Sequence, residues 1–534
     1  MPDIPRIPPA RLKAFIGDGN ELALIDVREQ GVFGQGHLLY ATCIPLSHLE
    51  LRILDLVPRR GVRIVVMDGG DGATATAARQ RLTELGYTDV AILESGLAGW
   101  RAAGFEVFSG VNVPSKAFGE FVEHTYDTPH LDAAALKARV DAGEPIVILD
   151  SRPWNEYNRM SIPGGIDAPG AELVYRVHDA APDPATTVVV NCAGRTRSII
   201  GAQSLINAGI PNPVLALENG TMGWHLAGLT VAKGAQNVAP PPSPQGLDKA
   251  RAGAARVAER FGVTTIDRTE LQAWRNDPTR TLFVLDVRTP EEFAAGHLPY
   301  SRHAPGGQLV QGTDEYAGVR NARIVLVDDT GVRATMTASW LIQMGWPDVR
   351  VLAGGIGSDG TETGPGRPDR PPAPAVTGIE AAELARLLAG DAPPLILDFD
   401  TSLAYRDGHI PAAFWAVRAR LAADLEQLPT GNDIVITSGD GAICPYAAAD
   451  LAALRPEAQV RVLTGGTAAW RSAGLPLEAG TDRWLGPTDD VQYKPYDNKG
   501  GVEAAMRAYL SWETALVEQI ERDGDARFSY YPPG

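Results

Sequence analysis

Cysteine is the residue of this chain whose type and placement point most directly to chemistry. The 534-residue sequence contains three cysteines, Cys43, Cys192 and Cys444, which lie far apart and without CxxC or Cys/His ligand spacing. This spacing disfavours a disulfide framework and a structural zinc site, so no metal site is predicted. An isolated cysteine in a reducing compartment can instead act as a reactive thiol.

Cys192 begins a loop of small and basic residues between an apolar run and a helix-like segment. The loop reads Cys192-Ala193-Gly194-Arg195-Thr196-Arg197-Ser198. The N–H groups and dipole of a helix start, the charges of two arginines and the open space at a glycine all favour a thiolate and a bound anion. The pattern therefore predicts that Cys192 is a nucleophile.

The surroundings of this loop occur four times along the chain, so internal repetition is the main feature of the sequence. Each copy contains an apolar run that ends in an acidic residue and reads as a buried strand. These runs are LIDVR from Leu24, ILDSR from Ile148, VLDVR from Val284 and ILDFD from Ile396. A second apolar run leads into the loop, whose first position holds Asp68, Cys192, Asp328 or Ser438.

The spacing between the two runs is nearly constant. From the acidic residue to the first loop position it is 42 residues in copies one to three, as from Asp150 to Cys192, and 40 in copy four. Apolar residues at three- and four-residue spacing after the loop predict a helix. Strands that alternate with helices predict an α/β fold in which each copy is a mainly parallel sheet flanked by helices, with ligands beyond the carboxyl ends of the strands.

The repeat divides the chain into four domains and a C-terminal tail: residues 3–112, 113–238, 247–363, 376–486 and 487–534. Proline-rich segments at 239–244 and 364–374 are expected to be stiff linkers. No such break separates copies one and two, which are expected to pack as a pair, and copies three and four resemble a second pair. The tail has a helical pattern from about residue 501 to 520 and is predicted to be a packing element.

The Cys192 loop and its flanks resemble those of the rhodanese family. The resemblance is carried by strand, C-x4-R-[ST] and helix, with Asp150 to Arg152 upstream and Gly220 to Trp224 downstream. It implies a persulfide on Cys192 and a ping-pong reaction that needs no metal or organic cofactor. Thiosulfate or another sulfane donor would load the sulfur, and cyanide, glutathione or a protein thiol would accept it. Phosphatases of this fold have C-x5-R, so the shorter loop favours sulfur over phosphorus chemistry.

The resemblance also indicates which residues bind substrate. The loop N–H groups, together with Arg195 and Arg197, would hold the anionic donor and the persulfide. The expected substrate-binding residues are Ala193, Gly194, Arg195, Thr196, Arg197, Ser198 and Arg152. For Arg152 the alternative is an ion pair with Asp150 or Glu156.

The other three copies lack the cysteine and are expected to be catalytically inactive, because a carboxylate or a serine hydroxyl cannot store a transferable sulfur. Their equivalent residues are Asp68, Asp328 and Ser438. A scaffold or interface role is expected for them, although Arg333 stands where Arg197 stands, which leaves anion binding in copy three open. Cys43 is expected in the core, and Cys444 is either a buried small residue or a relay thiol.

Charge and hydropathy limit the possible partners. A formal charge of -17 disfavours nucleic acid, and no apolar stretch approaches the roughly 18 residues that span a bilayer. The first residues lack a secretory pattern, so a cytoplasmic location is expected. The predicted partners are a small sulfur-containing anion and a thiol or cyanide acceptor. A protein-binding sulfur-relay scaffold, a redox sensor and a phosphatase are the alternatives to a sulfurtransferase.

Overall fold

The computed structural model describes residues 5–357, 361–429 and 431–532. Within these ranges it contains four five-stranded sheets, one in each copy of the repeat, and all of their strand pairings are parallel. Helices flank each sheet, which confirms the α/β fold class and the fourfold repeat. In copy three, Ser358 and Asp359 of the predicted glycine-containing turn lie outside the described residues.

Copy one runs from strand β1 to helix α5. Its strands are β1 Arg6–Ile7, β2 Ala23–Asp26, β3 Thr42–Cys43, β4 Ile64–Met67 and β5 Val90–Leu93. Its helices are α1 Pro9–Gly17, α2 Gln30–Phe33, α3 Leu49–Leu56, α4 Ala73–Glu84 and α5 Gly96–Ala102. Helix α6, Val113–Tyr126, leads into copy two.

Copy two contains the Cys192 loop. Its strands are β6 His130–Leu131, β7 Ile146–Asp150, β8 Ile166–Asp167, β9 Thr187–Asn191 and β10 Val214–Leu217. Its helices are α7 Ala133–Asp141, α8 Trp154–Arg159, α9 Glu172–Ala180, α10 Thr196–Ala208 and α11 Gly220–Leu226. Helix α12, Pro244–Phe261, connects it to copy three.

Copies three and four repeat the same order of elements, except that in the described residues of copy three no helix follows the last strand. The strands of copy three are β11 Thr264–Ile266, β12 Leu282–Asp286, β13 Arg302–His303, β14 Arg323–Val327 and β15 Val349–Leu352. Its helices are α13 Arg268–Arg275, α14 Pro290–Ala295, α15 Gly306–Gln311 and α16 Val332–Gln343. The strands of copy four are β16 Thr377–Ile379, β17 Leu395–Asp398, β18 Phe414–Trp415, β19 Asp433–Thr437 and β20 Gln459–Leu463.

The remaining helices belong to copy four and the tail. They are α17 Ala381–Leu388, α18 Ser402–Asp407, α19 Leu421–Asp424, α20 Cys444–Leu454, α21 Gly466–Ser472 and the tail helix α22 Val502–Asp523. Short 3-10 turns occur at Leu46–His48, Thr313–Glu315, Arg418–Arg420, Leu425–Gln427 and Pro495–Asp497. Helix α22 confirms the helical pattern predicted for the tail. In the described parts of the chain, no helix combines the length and the apolar character needed to cross a membrane.

The central strand of each sheet is the one that leads into the loop. The strand order of copy two is β6-β10-β9-β7-β8, and the other three sheets have the equivalent order. All five residues of β9 are buried, which explains its uninterrupted run of valines. The loop therefore begins at the carboxyl end of a buried central strand, where parallel sheets place their ligand sites.

The first proline-rich segment differs from the stiff linker expected from its composition. Ala239 is buried and its N–H donates to the Asp167 carbonyl of copy two. Helix α12 then begins at Pro244, where the Ser243 hydroxyl accepts the N–H of Gly246. Proline is well tolerated at the start of a helix, because the missing N–H has no helical partner there. The segment is thus attached to copy two at Ala239 and leads directly into α12, while Pro240 and Pro241 between them are exposed.

The four copies pack as one connected body, an arrangement that the sequence left open. Copy one contacts copy three through Glu21 and Arg280, whose charged atoms lie 2.8 Å apart. It also contacts copy four, where Glu50 and Arg418 form a 2.7 Å ion pair. One hydrophobic cluster includes residues of copies one, two and three and of α6. Sequence could not reveal this packing, because it depends on which helix faces meet.

Candidate functional site

The Cys192 side chain lies at the carboxyl end of β9 and is only 2% exposed. Its thiol donates to the Ser198 hydroxyl at 3.6 Å, and that hydroxyl donates to the Arg195 carbonyl at 2.7 Å. Helix α10 begins within the loop, at Thr196. The thiol therefore faces the first turn of a helix, where backbone N–H groups are available to an anion.

A glycine-containing turn at the start of α11 fixes the backbone of the loop. Gly220 has a φ of +54°, and a Cβ atom at this position would lie 2.4 Å from the Cys192 carbonyl oxygen. The N–H of Thr221 donates to this carbonyl at 2.8 Å, and the N–H of Met222 donates to Ala193 at 3.0 Å. Only glycine allows so close an approach.

Arg152 supports the base of the loop from the neighbouring strand. Its guanidinium binds the Asp150 carboxylate at 2.7 and 2.8 Å and donates to the Met160 carbonyl at 2.6 Å. Asp150 also accepts from the Asn191 amide at 2.9 Å, directly before Cys192. Arg152 is 2% exposed. The structure thus places Arg152 in the ion pair that the sequence offered as its alternative role.

Both arginines of the loop are bound to carboxylates of other elements. Arg195 binds Glu120 of α6 at 2.6 and 2.8 Å and also contacts Glu123. Arg197 binds Glu156 of α8 at 2.8 Å. These ion pairs offset the positive charge that the sequence alone attributes to the loop. They also fix the loop between α6 and α8.

Arg197 additionally connects the loop to copy three, where its guanidinium donates to the Gln308 side chain at 3.2 Å. Burial alone would raise the pKa of Glu156, but the charge and hydrogen bond of Arg197, together with the charges of Lys494 and Arg152, outweigh burial and lower this pKa to about 2. Glu156 therefore stays ionised near neutral pH and keeps Arg197 in place.

Helix α22 of the tail covers the loop. A Cβ atom at Gly194 would lie 3.0 Å from Glu513 Oε2 and 3.3 Å from Tyr509 Cε1. The Thr196 hydroxyl donates to Glu513 Oε1 at 3.2 Å. Ala193 packs in a small apolar cluster with Met506. The tail is thus a packing element, as predicted, and its residues also form one wall of the Cys192 site.

Lys116 of α6 is buried beside the same wall. Its ammonium donates to the Tyr509 hydroxyl and lies 3.5 Å from Glu513 Oε1. Burial lowers the pKa of Lys116, and the charge of Glu513 opposes this shift without cancelling it. Lys116, Tyr509 and Glu513 were missed at the sequence level. The sequence provides little indication that these three residues lie near Cys192, because polar residues in helical patterns usually face solvent.

In copies one and three the aspartate fills its own loop. Asp68 accepts the N–H groups of Gly70 and Ala75 at 2.9 and 3.1 Å. Asp328 accepts those of Gly331 and Arg333 at 2.6 and 3.0 Å. The anion-binding N–H groups of these loops are therefore occupied by a side-chain carboxylate. Among the described residues of copy two, no hydrogen bond uses the N–H of Gly194.

Copy four contains the thiol and the hydroxyl in exchanged positions. Ser438 stands at the first loop position, and its Oγ lies 3.4 Å from the sulfur of Cys444. Burial raises the pKa of the Cys444 thiol to about 12. Burial also raises the pKa of Cys43 well above its usual range. Both thiols therefore stay protonated near neutral pH.

In the described residues no group of three His, Cys, Asp or Glu side chains could hold a metal ion.

Four segments of the chain match the family model of the rhodanese-like domain, namely residues 8–103, 132–227, 267–358 and 380–473. Each segment lies within one copy of the repeat, and together they cover more than half of the chain. The chain belongs to the rhodanese family. The resemblance stated from the motifs is thereby confirmed.

Among solved structures, the rhodanese chain resembles a crystal structure of thiosulfate sulfurtransferase from Pseudomonas aeruginosa. The two are 49% identical with a TM-score of 0.94, over 99% of this chain and 100% of the other. A probable 3-mercaptopyruvate sulfurtransferase from Pseudomonas aeruginosa is 34% identical over 108 residues, which is 20% of this chain and 37% of the relative. The chain is a rhodanese-type enzyme of the sulfurtransferase class.

A third relative is named as a protein of a different functional class. An HTH-type transcriptional regulator from Mycobacterium tuberculosis is 30% identical over 203 residues, which cover 35% of this rhodanese chain and 86% of the regulator. Rhodanese-like sequences are thus found in proteins of more than one class. The role of each copy therefore depends on the residues of its own site.

Proposed function

We propose that this enzyme moves sulfane sulfur from thiosulfate, or a persulfide donor, to a thiophilic acceptor through a persulfide on Cys192. The proposal rests on a difference between the copies in the first residue of the loop. In copies one and three the first loop residue is an aspartate that occupies the loop N–H groups. In copy two that residue is a thiol, which can hold sulfur and leaves the N–H groups for an anion.

The proposed reaction has two displacements at sulfur. The Cys192 thiolate attacks the outer sulfur of thiosulfate, the S–S bond of the donor breaks, and sulfite leaves with the electron pair. An acceptor such as cyanide or a thiolate then attacks the outer sulfur of the persulfide. The Sγ–S bond breaks and returns the electron pair to Cys192. Atoms and charge balance without an external oxidant or reductant.

The loop residues from Gly194 to Ser198 have proposed parts in these steps. The N–H groups of Gly194, Arg195 and Thr196 would bind the anionic sulfur as it gains charge, because fixed donors in a buried site stabilise such charge strongly. Ser198 would donate to the thiolate in place of accepting from the thiol. The guanidinium of Arg197 would act mainly through position, since it is bound to Glu156.

We further propose that copies one, three and four carry no sulfur and serve as scaffold. We expect more than about half of the wild-type turnover to remain in Asp68→Ala, Asp328→Ala and Ser438→Ala. None of these side chains touches the Cys192 loop, and the surrounding contacts are expected to keep each domain folded. Thiocyanate formation from thiosulfate and cyanide measures this. Loss of turnover in a variant with unchanged thermal unfolding would show that a silent loop participates in the reaction.

A comparison of donors tests the proposed substrate class. We expect thiosulfate and glutathione persulfide to load Cys192 more rapidly than para-nitrophenyl phosphate is hydrolysed, because the C-x4-R loop from Cys192 to Arg197 suits a sulfur anion. Stopped reactions analysed by mass spectrometry give the loading rate for each donor. Phosphate release that depends on Cys192, without sulfur loading, would assign the site to phosphoryl chemistry instead.

A further inference from the structure

We propose that Glu513 of helix α22 is the general base that accepts the proton of a thiol acceptor, and that the physiological acceptor of this enzyme is a thiol. The inference rests on the proposed persulfide chemistry of Cys192 and assigns its second half-reaction. It is carried by the arrangement of Glu513, Tyr509, Lys116 and the loop.

The two oxygens of the Glu513 carboxylate have different surroundings. Oε1 accepts from the hydroxyls of Thr196 and Tyr509, both at 3.2 Å, and lies 3.5 Å from the Lys116 ammonium. Oε2 is buried and has no hydrogen-bond partner among the described residues. The side chain as a whole is 2% exposed. A buried carboxylate oxygen without a donor is costly, so this atom is suited to a ligand that brings a proton.

The unpartnered oxygen faces the catalytic loop. It lies 3.0 Å from the position that a Cβ atom would occupy on Gly194, and Tyr509 Cε1 lies 3.3 Å from the same position. Gly194 is two residues from Cys192, at the centre of the loop that would hold the outer sulfur of the persulfide. We expect the S–H group of a thiol that attacks this sulfur to lie beside Glu513 Oε2.

The contacts of Oε1 position the carboxylate for this role. Lys116 is 5% exposed and balances the charge of Glu513 inside the protein. Its ammonium also lies 4.3 Å from the centre of the Tyr509 ring, which keeps the three side chains together. Lys116 and Tyr509 are therefore positioning residues, and the proton-accepting atom is Glu513 Oε2.

The proposed step is balanced. The S–H bond of the acceptor breaks, its proton moves to Glu513 Oε2, and the resulting thiolate attacks the outer sulfur of the Cys192 persulfide. A new S–S bond forms, the Sγ–S bond breaks, and the Cys192 thiolate keeps the electron pair. The acceptor leaves as a persulfide, and the proton on Glu513 is then lost to water. Cyanide attacks as an anion and requires no such base.

The two acceptors separate this inference from the proposed function. The enzyme is first loaded with thiosulfate, and discharge of the persulfide by glutathione or by cyanide is then followed by mass spectrometry. In Glu513→Gln we expect discharge by glutathione at pH 7 to slow by about 100-fold, the size of general-base effects, while discharge by cyanide changes by less than about 3-fold. The defect should shrink toward pH 9, because free thiols ionise near pH 8.5 without help.

Glu518→Gln is the matched control, since Glu518 lies on the same helix and is exposed. Equal slowing of both acceptors in Glu513→Gln, or no slowing of glutathione, would overturn the inference. A Glu513→Gln enzyme that cannot be loaded by thiosulfate would also overturn it, by placing Glu513 in the first half-reaction. Failure of the wild-type enzyme to accept sulfur at all would instead refute the proposed function.

Discussion

Cys192→Ser is expected to reduce thiocyanate formation from thiosulfate and cyanide to the uncatalysed background. A serine hydroxyl at this position cannot form a persulfide, and the two remaining thiols cannot replace it. Cys444 is buried with a pKa raised to about 12, and burial also raises the pKa of Cys43. Nucleophilic attack at sulfur requires the thiolate. The rate of thiocyanate formation at saturating thiosulfate measures the effect.

Cys43→Ser and Cys444→Ser provide matched controls for this variant. Both replace a thiol by a hydroxyl of similar size, and both are expected to keep near-wild-type turnover if they fold. Cys444 lies 3.4 Å from Ser438 in the loop of copy four, so its replacement tests whether that loop acts as a sulfur relay. Turnover by Cys192→Ser would contradict the assignment of a single sulfur carrier. Loss of turnover in a folded Cys444→Ser enzyme would contradict it as well.

Arg333→Met is expected to lower the free energy of unfolding by about 3–5 kcal/mol, the usual result of removing one partner of a buried ion pair. Arg333 is fully buried and binds Glu172 of copy two at 2.9 Å. It also binds Glu292 at 2.6 Å and Asp329 at 2.7 Å, both of copy three. The methionine side chain fills similar space but leaves Glu292 and Asp329 without this cation, while Glu172 keeps its ion pair with Arg176 at 2.5 Å. Urea unfolding at pH 7, followed by tryptophan fluorescence, measures the change.

Arg507→Met is the control for this experiment, because Arg507 forms an exposed ion pair with Glu503 on α22 and such pairs contribute little to stability. An unchanged urea midpoint for Arg333→Met would show that the interface between copies two and three does not depend on this cation.

Urea unfolding of the wild-type enzyme with added anions also tests whether copy three binds an anion. Since Arg333 is bound to three carboxylates, we expect no protection of copy three by added sulfate or thiosulfate.

The repeat allowed most of the fold to be predicted from sequence. Apolar runs of fixed spacing mark the central strands of the four sheets. The strand beside each central strand ends in an acidic residue, namely Asp26, Asp150, Asp286 or Asp398. These signals are local, because an uninterrupted buried strand needs apolar residues along its whole length. The position of Cys192 at the end of a central strand followed from them.

The surroundings of the loop could not be predicted, because they depend on contacts between distant segments. Arg195 is separated by 75 residues from Glu120, and Thr196 by 317 residues from Glu513. Single-sequence patterns give periodicity within an element but not the face against which it packs. For the same reason the two arginines read as free cations in the sequence and are ion-paired in the structure.

A Cys192 persulfide is tested most simply by the location of sulfur after incubation with thiosulfate. Intact-mass and peptide-mass measurements on the wild-type enzyme should show one added sulfur atom per chain, on the peptide that contains Cys192, and cyanide should remove it. Sulfur on the peptides of Cys43 or Cys444, or no sulfur on Cys192 while thiocyanate is still formed, would contradict a reaction that proceeds through a Cys192 persulfide.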